Sequence, residues 1–166
     1  MKIVKEKDIT RYLFNLGINN FLKPAENRWL FNVKLENSEP GEFQIQILLS
    51  ENSLVFISPF LPNLQGENLE QYYEILLRLT SYLDYLKFGI SHDGKVITLQ
   101  AEYSRINFTY SKFTESIQVF IQVYMECWLK LTELANDIGL EQRSSSNKSI
   151  GEFWKRFQDF RDKKEY

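Results

Sequence analysis

Two residues, Asp93 and Gly94, constrain this chain more than any others. They stand between two runs of alternating apolar and polar residues, 86–90 and 95–103, and Asp-Gly favours a two-residue type I′ turn because both positions need positive φ. Closing the turn there sets Ile90 opposite Ile97, Phe88 opposite Leu99 and Leu86 opposite Ala101. The three apolar pairs then share one face, and a slip of one residue would turn all of them outward. The chain is committed to an antiparallel hairpin with one oily face, and that face needs cover.

The segment before it repeats the pattern. In residues 29–35, Trp29, Phe31, Val33 and Leu35 fall on one side of a strand. Pro40-Gly41 turns the chain into residues 43–49, which alternate in the same way, and Glu51-Asn52 closes a tight hairpin into residues 54–58, where Pro59 is expected to end the pairing. Pro24 reads as a break before the first strand and residues 62–66 as a loop.

Helical spacing supplies the cover. Asp8 reads as the N-cap of a short helix carrying Ile9, Leu13 and Leu16, stopped at Gly17. Asn68 and Gln71 resemble a capping box ahead of Leu69, Tyr72, Tyr73, Leu76, Leu79 and Leu83. Ser111 reads as the cap of a long helix with Phe113, Ile117, Phe120, Tyr124, Cys127, Leu131, Leu134 and Ile138 on its buried stripe and Gly139 at its end. The serine linker 144–147 precedes a second capping box, Ser149 with Glu152, and a strongly amphipathic terminal helix.

The expected class is α+β: an antiparallel sheet of about five strands with helices on one face, in the order α-β-β-β-α-β-β-α plus a C-terminal helix. Residues 1–142 form one domain and 143–166 the serine linker and amphipathic helix. At 166 residues the chain suits one compact domain.

Net charge is −2, unevenly spread. Residues 1–35 carry 7 basic and 3 acidic groups, net +4, while 36–102 carry 3 and 10, net −7. Residues 103–142 carry 3 and 5, and 143–166 carry 7 and 4, net +3. Basic ends around an acidic middle do not make the dominant basic face of a nucleic-acid binder. The first eight residues hold no signal-peptide core, and no run approaches the ~18 apolar residues of a membrane span. The expectation is a soluble, cytoplasmic protein.

Reactive constellations fare poorly. His92 beside Asp93 suggests a relay, but both sit at a turn, and a relay needs a nucleophile held in a cleft. Gly89, Gly94 and Lys95 match the spacing of a phosphate-binding loop, yet Val96 stands where Ser or Thr is required, and a strand follows where a helix should. Cys127, the single cysteine, falls on a buried stripe, where cysteine packs as a small hydrophobe. One histidine and one cysteine cannot build a zinc site from several such ligands. Glu67, Glu70 and Glu74 read as a solvated helix face. No catalytic residue, metal or cofactor is expected.

Two features point to binding. If Trp29, Phe31, Phe43, Ile45, Ile47, Leu49, Leu54 and Phe56 are buried, the opposite face of the sheet presents Leu30, Leu48, Val55 and Ile57, mixed with Gln44 and Gln46. In the terminal helix, Ile150, Phe153, Trp154, Phe157 and Phe160 must also bury somewhere: on the parent domain, on a second copy, or at a membrane surface. Candidate partner-binding residues are therefore Leu30, Leu48, Val55, Ile57, Phe153, Trp154, Phe157 and Phe160.

Residues 76–80 (Leu-Leu-Arg-Leu-Thr), then 87–96 with Leu99, then the helix from Phe113 to Leu131, resemble the YbjN-like and type III secretion chaperone-like superfamily. In that group a helix precedes a hairpin with an Asp-Gly turn and a long helix closes the domain. The strands of 43–60 fit the same layout, so residues 5 to 140 are covered, with uncharacterised cyanobacterial and plastid members the nearest in kind. The resemblance implies a small homodimer that binds another polypeptide without cofactor or catalysis. The expected function is a non-enzymatic, chaperone-like protein-binding module. The alternative is a peripheral membrane or assembly adaptor anchored by the terminal aromatic helix.

Overall fold

The computed structural model describes residues 2–36, 39–62, 64–90 and 96–142. His92 and Asp93 of the expected turn, the serine linker and the whole terminal segment, with Phe153, Trp154, Phe157 and Phe160, lie outside the described residues.

A six-stranded antiparallel sheet carries the molecule, in the order β1-β2-β3-β4-β7-β6. The strands are β1 (Phe21–Ala25), β2 (Arg28–Lys34), β3 (Glu42–Leu49), β4 (Ser53–Pro62), β6 (Leu86–Ile90) and β7 (Val96–Ser104). Two short strands, β5 (Leu64–Gln65) and β8 (Glu141–Gln142), pair separately. The helices are α1 (Glu6–Asn15), α2 (Leu69–Thr80) and α3 (Tyr110–Asp137).

The hairpin register is the one the Asp-Gly turn demands: Leu86 pairs with Ala101, Phe88 with Leu99 and Ile90 with Ile97. Glu51-Asn52 also closes its hairpin, with the Ser50 amide donating to the Ser53 carbonyl at 2.9 Å. Two prolines act differently from expectation. Pro24 lies within β1, an edge strand, and the β1–β2 register shifts between Leu22 and Ala25. Proline is tolerated at an edge because no neighbour needs its missing N–H. Pro59 does not end β4: the strand runs on to Pro62 through a bulge between Pro59 and Leu61. Leu64–Gln65, expected in a loop, pairs with the chain leaving α3.

The helix caps also differ in detail. Asp8 is the third residue of α1: its Oδ2 accepts from the Lys5 amide at 3.0 Å, and Lys5 is the cap. Thr109, not Ser111, caps α3, its hydroxyl accepting from the Lys112 amide at 3.3 Å. Asn68 makes no cap hydrogen bond to α2; its Nδ2 donates to the Ile138 carbonyl at 2.7 Å, tying the start of α2 to the end of α3.

The helices lie on one face of the sheet, called here the front. Trp29, Phe31, Ile45, Ile47, Leu54, Phe56 and Leu99 project there, joined by Ile9 and Leu13 of α1, Leu76 of α2 and Phe113, Ile117, Phe120 and Tyr124 of α3 in one core. Aromatic rings fill much of it: Phe43 stacks on Tyr124 at 3.9 Å between centroids, and Phe60 meets Phe88 and Trp128 edge-on. Two buried phenols find acceptors, Tyr124 on the Pro59 carbonyl at 3.1 Å and Tyr72 on the Leu131 carbonyl at 3.0 Å. The Trp29 indole N–H donates to Thr10 Oγ1 at 3.0 Å and fixes α1 against β2.

Candidate interaction surface

Because side chains alternate along a strand, the residues between the core positions form the opposite face, the back. Lateral pairing arranges them in rows. One row runs Leu22, Leu30, Gln46, Ile57, Gln100, Lys87 from edge to edge. The next runs Arg28, Leu48, Val55, Glu102. A third reaches from Asn32 to Gln44, which hydrogen bond through their amides at 3.2 Å.

The middle of this face is closed and its margins are open. Leu48 and Ile57 are each 2% exposed and Gln46 1%, whereas Leu22 at the β1 edge is 68% exposed. Leu48, Ile57 and Val96 form an apolar cluster separate from the main core, with half-buried Leu30 and Val55 packed against it. All four back-face residues singled out in the sequence are thus brought together, though two are buried rather than exposed. Val96 is the member sequence reasoning missed. Its signal was parity: it alternates with Ile97, Leu99 and Ala101, so it must point to the back with Thr98 and Gln100.

The polar groups here are mostly satisfied. Gln100 Nε2 donates to Thr98 Oγ1 at 2.8 Å, and the pair lies over Gly89, where a Cβ would stand 2.5 Å from the Gln100 amide nitrogen. Gly89, part of the apparent phosphate-loop spacing, instead makes room for this contact. Lys87 and Glu102 pair at 3.8 Å. The exception is Gln46 Oε1, buried with no hydrogen-bond partner.

The half-buried Cys127 thiol has its pKa raised above the ordinary value by burial and then by Glu126, so it stays protonated. Glu67, Glu70 and Glu74 are exposed; Glu67 precedes α2, and Glu74 pairs with Arg78 at 2.7 Å. No three His, Cys, Asp or Glu side chains among the described residues gather as a metal site would. An open hollow of about 420 Å³ beside Gly66, Asn68, Ile138 and Glu141 is walled by the ends of α2 and α3. No helix among the described residues is long and apolar enough to cross a membrane.

No protein-family model matches the chain, and no curated protein does. Solved structures do. YbjN from E. coli superposes with a TM-score of 0.57 at 14% identity, covering 84% of this chain and 98% of its own. The HopA1–SchA chaperone–effector complex contains a chain matching at TM-score 0.54 and 10% identity, over 74% of this chain and 91% of that one. The ExsC–ExsE complex gives 0.54 at 14% identity, over 76% and 92%. At such low identity the shared property is the arrangement of strands and helices, and by that arrangement the chain has the YbjN-like, type III secretion chaperone-like fold.

Proposed function

We propose that this protein is a non-enzymatic, chaperone-like binding module that acts as a homodimer in the cytoplasm and holds another polypeptide. The observation that carries the proposal is the second apolar cluster, Leu48, Ile57 and Val96 flanked by Leu30 and Val55, on the sheet face away from the helices. An antiparallel sheet that meets only water on one side usually alternates apolar with polar there. This face instead gathers a contiguous apolar cluster around Gln46, with Arg28, Glu102 and Lys87 at the ends of its rows. Two of the structural neighbours are seen in complexes with another protein, one of them a chaperone with its effector, which supports a polypeptide as the partner class. Phe153, Trp154, Phe157 and Phe160 add aromatic anchors of the kind that dominate interface energies.

The test uses two half-buried positions, Leu30 and Val55. Immobilised full chain is offered lysate from its own cells, beside Leu30→Asp and Val55→Asp chains of unchanged melting temperature. The expected result is a polypeptide retained by the wild type and depleted at least tenfold by either variant, with light scattering giving twice 19.8 kDa for the free protein. A monomer that retains the same polypeptides as both variants overturns the reading.

A further inference from the structure

We infer that the connection between α2 and β6, residues 81–85, is a separate docking surface, on which Tyr82, Asp84 and Tyr85 take arginine side chains of a partner polypeptide. The inference goes beyond the back face and does not depend on it.

Exposure is the first argument. Tyr82 and Tyr85 are 82% and 70% exposed, more than any other large apolar side chain among the described residues. Tyr72 and Tyr124, by contrast, are buried in the core. Two phenols left open three residues apart present broad contact area on side chains with few rotatable bonds.

The surface is also held in place. The Ser81 amide donates to the Arg78 carbonyl at 3.1 Å and the Tyr82 amide to the Leu79 carbonyl at 2.9 Å, so α2 ends in a tight turn. Thr80 Oγ1 accepts from the Phe88 amide at 3.1 Å and ties that turn to β6, while half-buried Leu83 packs against the main core. The Tyr85 ring lies 6.3 Å from that of Tyr103 at an angle of 32°, and Tyr103 in turn meets Phe56 and Phe108. A partner meets a turn already ordered, so less entropy opposes docking.

Charge selects the occupant. Residues 67–85 hold Glu67, Glu70, Glu74 and Asp84 against Arg78 alone, net −3. Arg78 is taken by Glu74 at 2.7 Å, and the next cation along the chain, Lys87, by Glu102 at 3.8 Å. Asp84 makes no ion pair among the described residues. The faces of the two rings carry negative potential and the carboxylate between them in sequence adds a full charge. A flat, weakly hydrated guanidinium suits that combination better than a compact ammonium. A second copy in two-fold contact would set this acidic patch against itself.

Fluorescence anisotropy of the full-length protein with two labelled peptides of equal length and charge, oligo-arginine and oligo-lysine, tests this. The arginine peptide is expected to bind at least threefold more tightly than the lysine peptide. Tyr82→Ala and Tyr85→Ala, at exposed positions and with unchanged melting temperature, should each weaken it at least fivefold. Tyr85→Phe, which keeps a ring face, should retain most of the binding, and Asp84→Asn should weaken both peptides alike. Equal affinity for the two peptides, or an arginine preference that survives both alanine variants, would overturn the inference. So would binding of neither peptide, or a dimer by light scattering that Tyr85→Ala dissociates, which would give the patch to a second copy.

Discussion

Gln46 sits at the centre of the back face between Leu30 and Ile57, and its Oε1 is buried without a partner. Leaving a buried acceptor unpaired costs about 1–3 kcal/mol, so an apolar residue of similar size removes that penalty. Gln46→Leu is expected to raise unfolding free energy by about 1 kcal/mol in urea titrations. A fall of similar size would show that the amide serves the fold. Arg105 presents the opposite case. Its guanidinium donates to the carbonyls of Val4, Ser50 and Glu51, at 2.7 to 3.1 Å, and so staples the N-terminal segment to the β3–β4 turn. Arg105→Met strips a charged donor from three acceptors and is expected to cost on the order of 2 kcal/mol. Hydrogen exchange should then quicken at residues 3–5 and 50–53; unchanged protection there would refute the staple. Nothing in the local sequence marks Arg105, because its partners lie 54 to 101 residues away.

At the scale of elements, legibility followed redundancy. The β6–β7 hairpin was readable because turn chemistry and three apolar pairs specify one register, and α3 because its stripe repeats over 28 residues. β1 was not, since its residues are largely exposed, with no alternation to read and a proline inside. β5 and β8 are two residues each, too short for any period, and their pairing depends on how α3 ends. Strand parity grouped Leu30, Leu48, Val55 and Ile57 correctly, but parity tells which face a residue joins and not whether that face is covered. The β5–β8 junction hangs on Gly66. Its φ is +150°, and a Cβ there would stand 2.6 Å from Leu140 Cδ2, while Gly139, at φ +76°, stops α3 alongside. Gly66→Ala is expected to destabilise by about 1–3 kcal/mol and to free the exit of α3. Hydrogen exchange at 64–65 and 140–142 reads this directly, and wild-type protection would mean the junction is set by other contacts.

For the whole molecule, the helices and sheet are locked together through buried phenols, which makes alkali the informative perturbant. Burial raises the pKa of Tyr72 and Tyr124 well above the ordinary 10.0. Each joins two elements: Tyr72 reaches from α2 to the Leu131 carbonyl of α3, and Tyr124 from α3 to the Pro59 carbonyl at the β4 bulge. The unfolded chain ionises near pH 10 while the folded chain holds its protons, so the unfolded state is favoured as pH rises. Stability from these groups is complete below pH 10 and is lost above it, on the order of 1 kcal/mol per tyrosine by about pH 11. Cys127, raised in the same direction, adds to the loss from its own ordinary value of 9.0 upward. The double change Tyr72→Phe with Tyr124→Phe removes two hydrogen bonds and costs about 1 kcal/mol for each at pH 7, but it also removes the groups that alkali titrates. Urea titrations from neutral pH to about pH 11 should therefore show the wild type starting higher and falling faster, with the variant's curve flatter and the gap closing. Parallel curves would mean that something other than the two phenols couples proton release to the packing of helices on this sheet.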